Sequence, residues 1–303
     1  MKVFPHNFNH NSNSGPNKFT RQLFRNIVKN FSVTMTANQP DADVEFCLIQ
    51  QQVHKVKPML LRLDGIYFNS EQDYNTQNKP IKYAYDNADI VIFQSEFNKN
   101  LTERWFGKHR NSKVIHNAPD LDLIKNVNPA YWDKKYPKDT ELWSCASSWR
   151  PHKRLKENIK YFKEFAPKNA IMAVAGSGVT QEDINTGDGR VFYLGDLDYF
   201  SLLSLYRRSS TFIHLAYMDH CPNVVVDAQA SGCKIICSST GGTSEIVSNG
   251  VIIQEEDWDY SPIRLYKPPV IRFDKSGNVK RECDDSIEKC AKKYHQALLD
   301  LLK

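Results

Sequence analysis

Short apolar runs alternate with helical patterns along most of the 303-residue chain, and this alternation constrains the fold more than any other feature. Runs such as Val44–Ile49 and Ile90–Gln94 predict strands, and the stretch Glu96–Phe106 predicts a helix. Strands that alternate with helices favour βαβ units, and such units build parallel sheets covered by helices. The sequence therefore predicts an α/β protein with parallel sheets.

The alternation runs through two successive series of elements. In the first, strands are predicted at Lys2–Pro5, Phe31–Thr34, Val44–Ile49, Met59–Leu63, Ile90–Gln94 and Lys113–His116, and helices at Asn17–Lys29, Ile81–Asn87 and Glu96–Phe106. In the second, strands are predicted at Leu142–Ser147, Ala170–Ala175, Arg190–Leu194, Phe212–Leu215 and Lys234–Cys237, and helices at Leu155–Phe165 and Tyr199–Arg208. The length also suits two domains of ordinary size.

The expected domain boundaries follow from the composition between the two series. Residues 1–121 form the first domain, and residues 122–140, which are rich in Pro, Asn and Lys, read as a linker. Residues 141–283 form the second domain. Residues 284–303 form a last helix with an apolar face, predicted over Asp284–Leu302.

Charge and cysteine content narrow the class of protein. The formal net charge of +5 is compatible with anionic ligands but too small to argue for nucleic-acid binding. The seven cysteines are scattered, odd in number and without metal-ligand spacing, which favours free thiols in a reducing cytoplasm and predicts no metal site. We expect no signal peptide and no membrane span.

Two acidic residues carry the most specific functional signal. Asp219 falls in a loop after an apolar strand, and Asp227 lies inside a helix that opens near Pro222. The first amides of that helix, at Asn223 and Val224, face any anion lying between the two carboxylates. This arrangement suits an elongated ligand in which a sugar, a diphosphate and a ribose follow one another.

The segment from Tyr217 to Gly232 resembles the acidic-x7-acidic signature of retaining glycosyltransferases of family 4, although both acids there are usually Glu. The resemblance implies the GT-B fold: two Rossmann-like domains with parallel sheets facing a central cleft, and a C-terminal helix returning to the first domain. It also implies that Asp219 contacts the transferred sugar and that Asp227 binds the ribose hydroxyls.

A basic turn, Ser147–Arg154, follows the first strand of the second series. In the family, a basic pair at this turn binds the donor diphosphate, which points to Arg150 and Lys153 here, with Arg154 as a third possibility. Fixed cations and a helix N-terminus would meet the charge of the leaving diphosphate without a metal. The alternative is a solvated basic start of a helix.

Four residues in glycine-containing loops match the order of donor contacts in the family. Gly242 and Thr243 correspond to contacts with the sugar and diphosphate, Gly195 lies beside the expected nucleobase, and Gly15 lies in a loop near donor phosphate and acceptor. The alternative at each position is an ordinary turn. Asp64 ends a strand of the first domain and could orient or deprotonate an acceptor hydroxyl, or simply cap the turn before Gly65.

These features predict a retaining, metal-independent glycosyltransferase that takes a nucleotide-diphosphate sugar as co-substrate and needs no other cofactor. The acceptor is expected to be a glycan, a lipid-linked sugar or another hydroxyl compound, and an acceptor at a membrane surface or on nucleic acid stays open. The alternatives are a sugar-nucleotide epimerase of the same fold and a non-catalytic nucleotide-sugar-binding protein.

Overall fold

The computed structural model describes residues 1–137, 139–282 and 285–303, and the chain divides into two compact units. Unit 1 comprises Met1–Ala118, Tyr260–Ile263 and Asp285–Lys303, and unit 2 comprises Pro119–Asp259 and Arg264–Asp284. The predicted boundary between residues 283 and 284 lies outside the described residues, as does the predicted start of the last helix at Asp284.

The first 118 residues build a six-stranded parallel sheet with order β2-β1-β3-β4-β5-β6. Its elements are β1 (Lys2–His6), α1 (Gly15–Asn30), β2 (Thr34–Met35), β3 (Val44–Leu48), β4 (Met59–Leu63), α2 (Tyr74–Asn87), β5 (Ile90–Phe93), α3 (Glu96–Phe106) and β6 (Ser112–Val114), with a short 3₁₀ turn at Gln39–Asp41. Every residue of β3, β4 and β5 is buried, because helices cover both faces of a parallel sheet.

Unit 2 contains a seven-stranded sheet with order β13-β12-β11-β10-β7-β8-β9, in which only the edge pair β12–β13 is antiparallel among the pairs described. Its elements are α4 (Leu121–Asn126), α5 (Ala130–Lys135), β7 (Leu142–Ala146), α6 (Leu155–Phe165), β8 (Ile171–Ala175), α7 (Gln181–Thr186), β9 (Val191–Gly195), α8 (Tyr199–Arg208), β10 (Thr211–His214), α9 (Asn223–Ala230), β11 (Lys234–Ser238), α10 (Thr243–Ile246), β12 (Asn249–Ile253) and β13 (Ser276–Lys280). A 3₁₀ turn at Pro151–Lys153 precedes α6.

The last helix, α11 (Ile287–Asp300), belongs to the core of unit 1. Its apolar face is buried together with residues of α1 and β3, and the Tyr294 ring lies 6.4 Å from the rings of both Phe19 and Phe46. At the helix edge, the His295 ring stacks on Phe31 at 4.1 Å. The C-terminal helix thus contributes its apolar face to the hydrophobic core of unit 1.

The interpretation of residues 122–140 as a linker is corrected by the structure. α4 and α5 lie in this segment, and Ile124, Val127, Trp132 and Tyr136 are buried in the core of unit 2. The Pro and Asn residues that suggested a linker instead separate two short helices, with Pro129 at the start of α5. Apolar residues spaced between these turn residues make the segment part of the domain.

Two other differences between the predicted and the observed helices have local causes. α2 begins at Tyr74 rather than Ile81, because the Asp73 side chain caps its first turn and the helix accommodates Pro80 in its interior. α7 was not predicted, although Thr180 and Asp183 form a capping box that marks its start. Among the described residues, no helix combines the length and the apolar character needed to cross a membrane.

Candidate active site

The candidate site lies at the carboxyl ends of three neighbouring strands of unit 2. β7, β10 and β11 are adjacent in the sheet, and the loops that follow them carry Lys153, Asp219 and Gly242 respectively. Because the strands are parallel, their carboxyl ends share one edge of the sheet, which is where open α/β sheets bind ligands. The fold therefore brings together three motifs that are up to 89 positions apart in the sequence (from 153 to 242).

Asp219 and Lys153 form a charged cluster with His214 and His220 beside it, and Asp219 lies at the centre of this cluster. Its Oδ2 lies 2.5 Å from Lys153 Nζ and 3.0 Å from His214 Nε2, and its Oδ1 accepts the His220 amide at 3.0 Å. Burial by itself would raise the pKa of Asp219, but the charge of Lys153 and the His214 hydrogen bond outweigh it and hold that pKa well below the usual value. Asp219 is therefore a carboxylate at neutral pH.

The histidines around this carboxylate are buried or half-buried and stay neutral. Burial lowers the pKa of His214, an effect that the neighbouring Asp219 only partly offsets. Burial, reinforced by the charge of Lys153, lowers the pKa of His152 to about 3, and burial lowers that of His220 to about 4. The ammonium of Lys153 is therefore the positive partner of Asp219 at neutral pH.

The backbone of Asp219 is fixed by the glycine loop that follows β11. Gly241 has φ +77°, and a Cβ atom there would lie 2.4 Å from the Asp219 carbonyl oxygen, so only glycine fits. The Gly242 amide donates to that same carbonyl oxygen at 2.7 Å. In this structure the Gly242 amide is therefore occupied, and it does not offer a hydrogen bond for the contact with sugar and diphosphate that the resemblance implies. Thr243, the first residue of α10, remains the candidate for that contact.

Asp227 lies in α9, the helix that the sequence predicted near Pro222. Its carboxylate is buried and its Oδ2 accepts a hydrogen bond from the Tyr199 hydroxyl at 3.2 Å. Asn223 and Val224 are the first two residues of this helix and lie at its positive, N-terminal end. Tyr199 was not predicted as a site residue, since nothing in its local sequence pattern marks it.

The structure separates the three basic candidates of the 147–154 turn. Lys153 faces Asp219, whereas the Arg150 side chain is exposed to solvent. Arg154 is buried and forms two 2.8 Å contacts with the carboxylate of Glu255. Of the three cations, Lys153 is the one placed at the charged cluster.

The remaining predicted residues lie apart from this cluster. Gly195 ends the edge strand β9 with φ +68°, a conformation that favours glycine, and its carbonyl accepts the Gly176 amide at 2.7 Å. Gly15 opens α1 in unit 1. Asp64 follows β4 of unit 1 and pairs with the buried guanidinium of Arg62.

Asp64 belongs to a polar cluster at the carboxyl ends of β4 and β5. Arg62 also donates to the Asn117 side chain at 2.8 Å, and the Gln94 side chain donates to the Asp64 carbonyl. Burial raises the pKa of Asp64, and the charge of Arg62 opposes that shift. Within the described ranges, neither unit contains a group of three or more His, Cys, Asp and Glu side chains arranged to hold a metal ion.

Comparison with solved structures identifies the class of fold. The chain is similar to sucrose-phosphate synthase from Thermosynechococcus elongatus, with a TM-score of 0.68 at 15% identity over 98% of this chain and 94% of that one. It is also similar to HepE of Anabaena in complex with UDP-glucose, with a TM-score of 0.65 at 15% identity over 85% of this chain and 86% of that one. The predicted fold is confirmed: the protein has the GT-B fold.

Sequence comparison gives a family match over part of the chain. Residues 132–260 match the family model described as glycosyl transferases group 1, and this range contains Lys153, Asp219 and Asp227. An uncharacterized glycosyltransferase of Methanocaldococcus jannaschii is 26% identical over 194 residues, which cover 59% of this chain and 47% of that protein. The match thus spans about half the length of that relative. Both matches support the predicted glycosyltransferase.

Proposed function

We propose that the protein is a retaining glycosyltransferase of family 4 that moves a sugar from a nucleotide-diphosphate sugar to an acceptor hydroxyl. The observation that carries the proposal is the pairing of Lys153 with Asp219 at the sheet edge where three loops converge. A cation and a carboxylate side by side suit a donor whose diphosphate is anionic and whose sugar presents hydroxyl groups.

The residues of unit 2 divide the donor among them. Lys153 contacts the diphosphate, and the first amides of α9 at Asn223 and Val224 add the positive end of a helix. Asp227 accepts hydrogen bonds from the ribose hydroxyls, and Asp219 accepts them from the sugar. Because Asp219 is ionised, its hydrogen bonds to hydroxyl groups are charge-assisted and stronger than neutral ones.

The chemical step needs a stabilised leaving group more than it needs a strong base. The bond between the sugar's anomeric carbon and the diphosphate oxygen breaks, and its electron pair stays on that oxygen. The acceptor oxygen bonds to the same carbon from the same face, and its proton passes to the leaving phosphate oxygen. The lysine ammonium and the helix amides stabilise the charge that develops there, so the step proceeds without a metal.

Thermal shift with a panel of nucleoside diphosphates and their sugars tests donor binding. UDP-glucose is the first probe, because a solved structure of similar fold contains it. A ligand at 100 times its dissociation constant should add about 2.7 kcal/mol to the free energy of unfolding. Absence of stabilisation by any nucleotide sugar would contradict the proposal.

Turnover distinguishes the enzyme from a protein that only binds nucleotide sugars. With the stabilising donor, we expect hydrolysis or transfer that EDTA leaves intact, and a product with the anomeric configuration of the donor by NMR. A product of inverted configuration would remove the retaining assignment. Activity lost in EDTA and restored by manganese would remove the metal-free one.

A further inference from the structure

Arg154 lies beside Lys153 in the chain, yet its side chain turns away from Asp219 and is buried. Its guanidinium makes two 2.8 Å contacts with Glu255, donates to the Pro269 carbonyl at 2.8 Å and reaches the Leu215 carbonyl at 3.4 Å. The same group lies over the Tyr217 ring, 4.9 Å from its centroid. These contacts leave no role for Arg154 in binding donor directly.

The backbone of Arg154 is also unusual. Its φ of 54° and ψ of 49° place it in the left-handed region, directly between the turn that carries Lys153 and the first residue of α6. A residue with a Cβ atom is rarely found there, and such conformations persist where surrounding contacts impose them. The Arg154 amide donates to the Pro151 carbonyl at 3.1 Å, and the two parallel contacts with Glu255 hold the side chain in one orientation, because the planar guanidinium fits a carboxylate in one way.

Arg154 contacts the Asp219 loop directly. Leu215 and Tyr217, which its guanidinium touches, belong to the segment that joins β10 to Asp219. In the same segment the Tyr217 amide donates to the His152 carbonyl at 2.7 Å. The turn that carries Lys153 and the loop that carries Asp219 are therefore bound together next to the charged cluster.

A second connection runs through Glu255. The Ser238 hydroxyl donates to the Glu255 carboxylate and lies 2.8 Å from the Thr240 hydroxyl oxygen, which in turn accepts the Met218 amide at 3.4 Å. Met218 directly precedes Asp219 and has φ 58°. Through Ser238 at the end of β11, Glu255 is thus connected to the backbone just before Asp219. This connection is separate from the one through Tyr217.

We propose that Arg154 and Glu255 form a positioning pair that sets the separation between the Lys153 ammonium and the Asp219 carboxylate. The proposal rests on the proposed function, in which Lys153 contacts the donor diphosphate and Asp219 the donor sugar. A buried ion pair is weak evidence for stability, since apolar residues of similar size often serve as well. The presence of this pair beside the site is accounted for by the geometry that it imposes.

The test uses a double variant that removes the pair without leaving a buried charge. Glycine at position 154 adopts the left-handed backbone conformation without strain, so the first substitution is Arg154→Gly. The second, Glu255→Gln, keeps a hydrogen-bond acceptor for the Ser238 hydroxyl. We expect the double variant to remain folded, to turn over donor at least tenfold more slowly than wild type, and to bind inorganic pyrophosphate several-fold more weakly. Arg154→Lys keeps the charge but loses the planar fork, and should fall between wild type and the double variant.

A control pair in the same unit makes the test specific. Arg208 and Asp133 join α8 to α5 at 3.0 Å, and neither belongs to the loops of the site. Asp133→Asn should change turnover and pyrophosphate affinity by less than twofold. A folded double variant with wild-type turnover and wild-type pyrophosphate affinity would overturn the proposal.

A readout that needs no donor separates this inference from the proposed function. In protein with ¹⁵N-labelled histidine, the Nε2 resonance of His214 reports the contact with Asp219, which measures 3.0 Å in the wild type. We expect this resonance to shift in the double variant and in Arg154→Lys, and not in Asp133→Asn. An unchanged resonance in both Arg154 variants would overturn the positioning role even if wild-type protein proves to be a glycosyltransferase.

Discussion

Each unit places an ion pair at the carboxyl ends of parallel strands, but the two pairs differ in what a ligand can reach. In unit 2 the Lys153 and Asp219 side chains are 19% and 15% exposed. In unit 1 the Arg62 side chain is 1% exposed, whereas its partner Asp64 is 14% exposed. The pair in unit 2 therefore offers a ligand both a cation and a carboxylate, whereas the pair in unit 1 offers the carboxylate of Asp64 and keeps the Arg62 cation buried. The first combination suits an anionic donor, and the second suits a neutral acceptor hydroxyl.

Removal of the reachable cation should have the largest effect. Lys153→Ala should lower turnover at saturating donor by a factor of about 10²–10³, as loss of one group that stabilises developing charge typically does. Arg150→Ala should cost at most about tenfold, because Arg150 is exposed and lies outside the charged cluster. Steady-state kinetics measure both, and Lys160→Ala, on the exposed side of α6, is the control expected to stay within twofold. A wild-type rate for Lys153→Ala would place the diphosphate elsewhere.

A smaller and different effect is expected in unit 1. Asp64→Asn should lower transfer at subsaturating acceptor about tenfold, an effect of ~1.4 kcal/mol, while the affinity for nucleoside diphosphate stays within twofold. It should also lower the melting temperature, because Arg62 loses the carboxylate that compensates its buried charge. Transfer rate per folded molecule separates the two effects. A wild-type value with reduced stability alone would make Asp64 purely structural.

The smallest effect concerns pH. Burial lowers the pKa of His152 to about 3, against 6.5 for an unperturbed histidine. Between these values the unfolded chain takes up a proton that the folded protein does not, so His152 destabilises the folded state as pH falls below 6.5. From pH 6.5 to 5.5 this costs about 1 kcal/mol for one such group. Urea unfolding at pH 6.5 and 5.5 should show a correspondingly smaller loss of unfolding free energy for His152→Gln than for wild type. Equal losses in the two proteins would contradict a lowered pKa of His152.

The sequence was most informative where function is encoded in a short segment. Asp219, Asp227 and the start of α9 lie within one stretch, so their placement in a loop and a helix followed from local turn and capping residues. For the basic turn after β7 the resemblance pointed to Arg150 and Lys153, with Arg154 as a third possibility, and only the structure places Lys153 beside Asp219. In unit 1 the local pattern predicted the strand before Asp64. It did not predict that Arg62 would form an ion pair with Asp64.

Partners distant in the sequence could not be predicted. Arg154 and Glu255 are separated by 101 positions, and nothing near either residue marks the other. The segment misassigned as a linker carries apolar residues among its Pro and Asn residues, and Ile124 in α4 and Trp132 in α5 are both buried.

Calorimetric titration of the nucleoside diphosphate selected by thermal shift tests the central claim, that the donor is held by unit 2. The titration compares wild type with Asp227→Asn and Asp64→Asn. Loss of charge-assisted hydrogen bonds to the ribose should weaken binding to Asp227→Asn by about 1.5–3 kcal/mol, which is roughly ten- to 150-fold. Asp64→Asn should bind as wild type does. Equal affinity in all three proteins, or a loss confined to Asp64→Asn, would contradict the account.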